Sequence, residues 1–280
     1  MVCKIGQANM ETMPPHELRV FEKKPTFMPK NWWQENSFFN HFFNSLSLLL
    51  PVGELFFIKS MKRNQKSIKC QSLRKDVDLF IYQETKHFQE HDLWFNRNLR
   101  ESGYCVDKFI YPFKTFMELG NGRLSPRFAL ALTVASEHLT TILARLVLMD
   151  SKWLEGASFE YKKIWYYHAL EELEHKSVAF DLYKEAGGPL WLRIYSLIQV
   201  VIVFSFVICQ LMTCFLWADK KMISLQALKE FLYFSKQIIK SSPTFLKSAF
   251  SYFKSSFHPN HEDDTELVKV YREKVKDFCF

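Results

Sequence analysis

Glycine and proline are scarce in this chain, with 8 and 10 copies among 280 residues. No stretch alternates apolar and polar residues with period two for long. Proteins built from strands and tight turns usually show both features, so the sequence predicts an all-α protein. Hydrophobic residues make up 48% of the chain, which excludes a disordered polypeptide because such a composition can bury a large core.

Paired cysteines and a secretion signal are also missing. The six cysteines are scattered and form no Cys-x-x-Cys pair, so free thiols in a reducing compartment are expected. The N-terminus lacks a charged segment followed by an apolar one, and a cytoplasmic folded domain is therefore expected. The densest basic excess behind the net charge of +7 lies in residues 219–258. Because no recognised binding motif accompanies it, no nucleic-acid partner is expected.

One segment places metal-ligand residue types on a single helical face. Within residues 158–186, predicted as one helix, His168, Glu172 and His175 are spaced i, i+4 and i+7. Apolar residues continue this stripe, so it should face a core. Buried ionisable groups are costly unless something offsets their desolvation, and a bound metal ion is the usual answer.

A second helix and two lone glutamates complete the pattern. The second helix carries Glu84, His87 and His91, while Glu54 and Glu137 each stand alone in an apolar helical run. The order Glu, Glu-x-x-His, Glu, Glu-x-x-His is the ligand set of ferritin-like di-iron or di-manganese carboxylate bundles. The sequence therefore predicts an all-α, ferritin-like four-helix bundle with a di-metal centre.

Each of these residues also has a plainer explanation. A lone His on an apolar stripe usually bonds a carbonyl, and a lone Glu usually reaches water from an edge. Four carboxylates around one core cannot all ionise without cations, however, which favours the metal centre. Oxygen and imidazole ligands suit two iron ions, with manganese or zinc as alternatives. The predicted metal ligands are Glu54, Glu84, His87, Glu137, His168, Glu172 and His175.

Four further residues are expected near these ligands. His91 and Asp181 could ligate a metal ion themselves or hydrogen-bond to a ligand. Glu171 and Glu174 flank the stripe that contains Glu172, and they are expected to face solvent or to support the ligands.

The chain is expected to divide into four segments. These are a polar arm (1–31), the di-metal bundle (32–188), a hydrophobic helix (189–218) and a basic amphipathic helical tail (219–280). The uncharged stretch 194–217 is long enough to span a bilayer, which needs roughly 20 apolar residues. The alternative is a fully buried fifth helix packed on the bundle. With the membrane interpretation, the cytoplasmic bundle is attached to the inner membrane and the basic tail lies on anionic lipid.

Four motifs resemble a bacterial family labelled predicted metal-dependent hydrolase. They are Leu50-Pro-Val-Gly-Glu54, the run from Gln83 to His91, Glu137-His-Leu-Thr140 and the run from His168 to Asp181. The resemblance covers roughly residues 30–215 and shows no departure at the candidate ligands. It implies a metal-dependent reaction, and the family label leaves open which one.

The spacing His168-x-x-x-Glu172-x-x-His175 is also similar to the last site helix of the p-aminobenzoate N-oxygenase family. That resemblance implies that His168 is an iron ligand and that two irons activate dioxygen. Thr141, one turn after Glu137, is similar in spacing to the active-site Thr of bacterial multicomponent hydrocarbon monooxygenases. This similarity implies a proton relay, and the alternative is a hydroxyl bonded back to the carbonyl of Glu137.

Three functions are compatible with this pattern. The first is a dioxygen-activating oxidase or oxygenase that acts on an apolar or aromatic small molecule, lipidic if the bundle sits at a membrane, with a redox partner as electron donor. The second is a hydrolase that uses a metal-bridged water. The third is a non-catalytic, metal-binding scaffold anchored to a membrane. The sequence sets neither the substrate nor the oligomeric state.

Overall fold

The computed structural model describes residues 29–33 and 36–276, so most of the arm predicted for 1–31 lies outside the described residues. This described part holds ten α-helices and no β-strand, which confirms the all-α prediction. The helices are α1 (Ser37–Asn64), α2 (Gln71–Glu90), α3 (Arg97–Glu101), α4 (Val106–Asn121), α5 (Pro126–Met149), α6 (Phe159–Glu174), α7 (Val178–Glu185), α8 (Leu190–Ala218), α9 (Leu225–Ser251) and α10 (Thr265–Lys276).

Four long helices enclose the candidate site. Helix α1 packs on α2 and α5, and α6 packs on α5 and α2, so the four close into a ring. Two of them begin at side-chain caps, which satisfy backbone N–H groups that have no partner inside the helix. The Asn36 side chain accepts from the N–H groups of Phe38 and Phe39, and the Ser125 hydroxyl accepts from that of Phe128. Helix α4 lies in the long connection between α2 and α5.

Helix α2 continues through a π-helical segment, His91–Asn96, into α3. The following Gly103 has φ +89°, a left-handed conformation that glycine adopts without strain, and it ends this helical run. Pro51 in α1 has no N–H to offer the carbonyl of Ser47. That carbonyl instead accepts from the Asn96 side-chain amide at 2.9 Å, which ties α1 to the π-helical segment.

The helix predicted for residues 158–186 is interrupted, and that prediction is wrong in this respect. Helix α6 ends at Glu174, and α7 begins only at Val178. The cause lies far along the chain, because the Lys176 ammonium donates to Asp264 at 2.7 Å and to the carbonyl of Glu262 at 2.6 Å. A continuous helix would carry this lysine past those partners. The break leaves His175 just beyond the end of α6.

Helix α8 lies on the outside of the ring, against α1, α4 and α5. Three helical stretches are long and apolar enough to cross a membrane, namely Ser37–Ser67, Pro126–Met149 and Leu190–Ala218. The first two are 83% and 72% buried within the protein, whereas the third, α8, is only 28% buried. Helix α8 therefore packs on the bundle, as the alternative expects, but it is not fully buried, and membrane insertion of 194–217 stays a prediction.

Candidate metal centre

Four glutamates meet inside the ring of helices. Glu54 comes from α1, Glu84 from α2, Glu137 from α5 and Glu172 from α6, and each is at most 2% exposed. The lone glutamates and the Glu-x-x-His pairs thus converge from four different helices. Their carboxylates lie where water cannot solvate them, so their charge has to be compensated locally.

Three histidines stand between these carboxylates. His175 Nε2 lies 3.3 Å from a Glu84 oxygen and its Nδ1 lies 3.3 Å from a Glu137 oxygen. His168 Nε2 is 3.3 Å from Glu172 Oε1. Because α6 ends at Glu174, the His175 ring comes from the interruption before α7 and not from the helical stripe.

His87 stands at the middle of the cluster. Its Nδ1 lies 3.6 Å from Glu84 Oε1 and 3.8 Å from Glu172 Oε1. Two groups of side chains able to hold a metal ion share this residue. One group is Glu84, His87, Glu172 and His175, and the other is Glu54, His87 and His168. Glu137 belongs to neither group and reaches the centre through His175.

Most of the candidate ligand atoms have no hydrogen-bond partner, and a bound cation would explain this. Native proteins satisfy the large majority of their buried polar groups. Among the described residues, both carboxylate oxygens of Glu54, Glu84 and Glu137 lack a hydrogen-bond donor, as do both ring nitrogens of His175 and Nδ1 of His87. Hard carboxylate oxygens together with imidazole nitrogens suit iron, manganese or zinc. The residues present therefore fit a buried metal ion.

Burial and mutual repulsion raise the pKa values of the carboxyl groups. Desolvation, followed by the charge of Glu84, raises the pKa of Glu54 and that of Glu137 well above the ordinary value. Desolvation, followed by the charge of Glu137, raises the pKa of Glu172 to about 8. Desolvation also lowers the pKa of His168, which keeps its imidazole neutral. A cation would stabilise the ionised carboxylates, and the neutral imidazole has a lone pair to offer it.

Glu171 orients His87. Its carboxylate accepts from His87 Nε2 at 2.7 Å and from the Gln83 amide at 3.2 Å. This bond leaves Nδ1 of His87 directed at the other carboxylates, as carboxylate–histidine pairs do at metal sites. The sequence analysis left open whether Glu171 faces solvent or supports the ligands. The Glu171 side chain is buried and holds His87, so it has the supporting role. Glu174 instead pairs with Arg272 at 2.6 Å.

The hydroxyls of two neighbouring threonines of α5 both lie within hydrogen-bond distance of the carbonyl of Glu137, and only that of Thr140 also reaches a carboxylate. The Thr140 hydroxyl donates to Glu172 Oε2 at 2.7 Å, a contact that the sequence analysis missed. The Thr141 hydroxyl donates to the carbonyl of Glu137 at 2.7 Å, which is the plainer of its two predicted roles. Consecutive residues on a helix point about 100° apart, so both threonines could not face the carboxylates. The proton relay through Thr141 stays a prediction.

His91 and Asp181 lie at different distances from the centre. The His91 ring is buried 5.0 Å from the His168 ring, and its Nδ1 lies 2.9 Å from the Ser47 hydroxyl. Because that hydroxyl donates to Asn96, His91 Nδ1 is the donor to Ser47 and its Nε2 keeps the lone pair. Asp181 lies on α7 and accepts from His258 Nε2 at 3.0 Å. Its described partner is thus a histidine of the C-terminal region and not a candidate ligand.

A cavity of about 770 Å³ reaches His168 and Glu172 from one side of the centre. It lies among α1, α4, α5, α6 and α8, and most of its wall is apolar. His168 and Glu172 form part of the wall, next to Trp165 and Thr140. The other polar residues of the wall are Arg123, Ser136 and Gln199. An apolar molecule in this cavity would therefore contact the candidate metal ligands directly.

Comparison with known proteins identifies the family of this chain. No curated protein and no solved structure matched this chain. A family model described as "Predicted metal-dependent hydrolase" matches residues 19–263. That span includes every candidate ligand and the cavity, and it confirms the resemblance drawn from the motifs. The chain thus belongs to the predicted metal-dependent hydrolase family, and it places a buried His/Glu group able to hold a metal ion inside an all-α fold.

Proposed function

We propose that this protein is a two-metal carboxylate enzyme that oxidises an apolar small molecule with dioxygen. The observation that carries the proposal is the apolar cavity whose wall includes His168 and Glu172. The residues that would hold two metal ions, iron being the best suited, are Glu54, Glu84, His87, Glu137, His168, Glu172 and His175. Two iron ions held there would supply dioxygen activation, a chemistry that side chains alone lack.

The chain's own residues position the substrate and exclude water. Phe43, Leu139 and Trp165 belong to the cavity wall, so a hydrocarbon there replaces water next to Glu172. The Thr140 hydroxyl fixes one oxygen of Glu172, and Glu171 fixes the ring of His87. Electrons would have to come from a separate redox partner, because the site residues provide no redox group of their own.

Hydrolysis is the second candidate, and the family description favours it. Two metal ions can lower the pKa of a bound water and hold a phosphoryl or acyl group. The cavity favours oxidation over hydrolysis because its wall offers few polar atoms that could bind a charged group as it forms. The Thr140 hydroxyl, which is part of this wall, has acceptors in Glu172 Oε2 at 2.7 Å and in the carbonyl of Glu137 at 3.1 Å.

Oxygen uptake and isotope labelling separate these candidates. Metal-free full-length protein is loaded with Fe(II), given a reductant and a hydrocarbon substrate, and followed with an oxygen electrode. We expect metal-dependent oxygen uptake that disappears in Glu172→Ala and persists in Glu174→Ala, since Glu174 pairs with Arg272 outside the centre. Product oxygen that comes from water, with turnover that continues without air, would establish the hydrolase instead. Metal binding without either reaction would leave the scaffold role.

We also infer that one face of the bundle rests on the inner membrane. Trp191, Ile202, Phe206 and Trp217 on α8 are each at least 63% exposed, which is unusual for large apolar side chains. Helix α2 on the ring exposes charged residues, among them Lys75 and Lys86. Each charge would cost about 2.5–3.5 kcal/mol at the centre of a bilayer. These charges therefore favour an arrangement in which the bundle lies on one leaflet, and they disfavour a bundle immersed in lipid.

Vesicle flotation tests this membrane contact. The full-length protein should float with vesicles of phosphatidylglycerol and phosphatidylcholine, because the apolar face of α8 and the lysines that follow it match an anionic surface. The double variant Ile202→Asp, Phe206→Asp should remain at the bottom of the gradient, because it places two charges on the apolar face of α8. Leu93→Asp is the matched control, since Leu93 is also an exposed apolar residue, at 56%, but lies in the π-helical segment. Equal flotation of both variants would contradict the proposed contact between α8 and the membrane.

A further inference from the structure

The cavity has an opening on the surface of the protein, and that opening is apolar. Three residues of its wall are themselves largely exposed, namely Phe116 at 59%, Leu119 at 55% and Ile202 at 63%. Phe116 and Leu119 lie on α4, and Ile202 lies on α8, so the cavity meets the surface between these two helices. At its inner end the wall consists of His168, Glu172 and their neighbours.

One cation lies in the wall of this otherwise apolar cavity. Arg123, in the turn between α4 and α5, is exposed and contributes to the lining. Within residues 29–33 and 36–276, arginines such as Arg97, Arg100, Arg145 and Arg272 form ion pairs with carboxylates, and Arg123 forms none. The Arg123 guanidinium is thus without a carboxylate partner in this described part. A guanidinium beside an apolar opening suits the oxygens of a carboxylate or phosphate head group.

We propose that the cavity binds a single-chain amphiphile with an anionic head group, with the head at Arg123 and the hydrocarbon tail directed toward His168 and Glu172. That this amphiphile is the substrate rests on the proposed function, whereas its binding in the cavity does not. The volume of about 770 Å³ lies within the range of roughly 300–1,000 Å³ that ligand pockets occupy. The opening between α4 and α8 coincides with the apolar surface of α8, so a tail can pass from lipid into the cavity without crossing water.

Fluorescence quenching tests the binding without metal turnover. The probe is 9,10-dibromooctadecanoate, whose bromine atoms quench tryptophan on contact, added to the full-length protein in amphipol. Trp165 is 4% exposed and lines the inner part of the cavity, so saturable quenching is expected. Trp165→Phe should remove this component while leaving the other six tryptophans in place. Quenching that persists unchanged in Trp165→Phe would overturn the proposal.

Two substitutions separate the head from the tail. Arg123→Gln should weaken binding of the anionic probe about tenfold, because a charge-assisted hydrogen bond is lost, and should leave competition by neutral octadecanol unchanged. Arg127→Gln is the matched control, since Arg127 is exposed nearby on α5 and does not line the cavity. Leu143→Trp, which fills part of the cavity, should block the long tail and still admit decanoate. Equal effects of the two arginine variants, or unchanged binding in Leu143→Trp, would overturn the proposal.

Competition identifies the head group that Arg123 accepts. Octadecanoate and octadecyl phosphate are compared as competitors of the probe, and displacement by either one supports an anionic head at Arg123. Displacement by neither would contradict it. Because this assay needs neither iron nor dioxygen, its failure would leave the oxidation proposal untouched. Conversely, if the probe binds tightly but no oxygen is taken up, the amphiphile site is supported and the oxidation proposal is contradicted.

Discussion

Two clusters of charged side chains contain the adjacent residues His175 and Lys176, and they differ in whether their acids have cationic partners. His175 turns toward Glu84 and Glu137 in the carboxylate centre, whereas Lys176 turns toward Asp264. In the second cluster, here called the Arg145 cluster (Arg145, Lys176, Glu262 and Asp264), every acid has a cationic partner. The Arg145 guanidinium holds Asp264 through two bonds of 2.7 and 2.8 Å.

The carboxylate centre has no such partners. Among the described residues, no lysine or arginine forms an ion pair with Glu54, Glu84, Glu137 or Glu172. The pKa values follow this difference. Burial raises the pKa of Asp264, but the bonds from Arg145 and Lys176 outweigh burial and lower it overall, whereas the pKa of Glu172 is raised. The chain thus supplies its own counter-charge in the Arg145 cluster, whereas the carboxylate centre is a group of side chains that could hold a metal ion.

Removing the cation of the Arg145 cluster should have the largest effect. Arg145→Met leaves Asp264 and Glu262 facing each other without the guanidinium, and loss of one partner from a buried pair costs about 3–5 kcal/mol. The measurement is the free energy of unfolding in urea. Arg127→Met on the same helix is the control, and as an exposed residue it should change stability by less than about 0.5 kcal/mol. Similar values for both variants would show that the cluster is not structural.

Amide substitutions should act with opposite signs in the two clusters of the metal-free protein. Asp264→Asn should destabilise it because Arg145 and Lys176 lose their counter-charge. Glu137→Gln should instead leave it unchanged or stabilise it, because it removes a carboxyl group whose pKa is raised. Metal at 100 times its Kd should stabilise the wild type by about 2.7 kcal/mol, and Glu137→Gln by less. A clear loss of stability in metal-free Glu137→Gln would contradict this contrast.

The same difference predicts opposite pH dependences for the metal-free protein. The pKa of Glu172 rises from 4.5 to about 8 on folding, so the native state binds the extra proton and stability falls as pH increases through this window. The pKa of Asp264 is lowered, so its contribution is present near neutral pH and is lost as pH falls toward acid. Each proton changes the slope by at most about 1.4 kcal/mol per pH unit. Thermal unfolding from pH 4 to 9 should show that Glu172→Gln flattens the alkaline side and Asp264→Asn the acid side.

The sequence predicts the converging residues well because helical periodicity determines which side chains share a face. Glu54 and Glu137 lie in apolar helical runs, and Glu84 and Glu172 lie on helical faces with apolar residues, so their burial is expected from spacing. The break after Glu174 could not be predicted in the same way. Neither Lys176 nor Ser177 is a helix breaker, and the partner that draws Lys176 out, Asp264, lies 88 residues further along.

Rotation of α5 about its axis is another property that spacing does not determine. Thr140 and Thr141 are equally compatible with the sequence pattern, and only the packing of α5 against α6 decides which of them meets Glu172. The role of Glu171 was left open for the same reason, because the position of α2 determines whether that carboxylate meets His87 or solvent.

The smallest expected effect separates these two threonines. Thr140→Val removes the hydrogen bond to Glu172 and should weaken metal affinity about tenfold, at the lower end of the range for groups that orient ligands. Thr141→Val removes only a bond to the carbonyl of Glu137 and should leave metal affinity unchanged. Calorimetric titration with Mn(II) measures both, and oxygen uptake after loading with Fe(II) adds a second readout. If Thr141→Val instead suppresses oxygen uptake at normal metal affinity, the proton relay predicted for Thr141 would hold, and Thr140 would keep only its part in orienting Glu172.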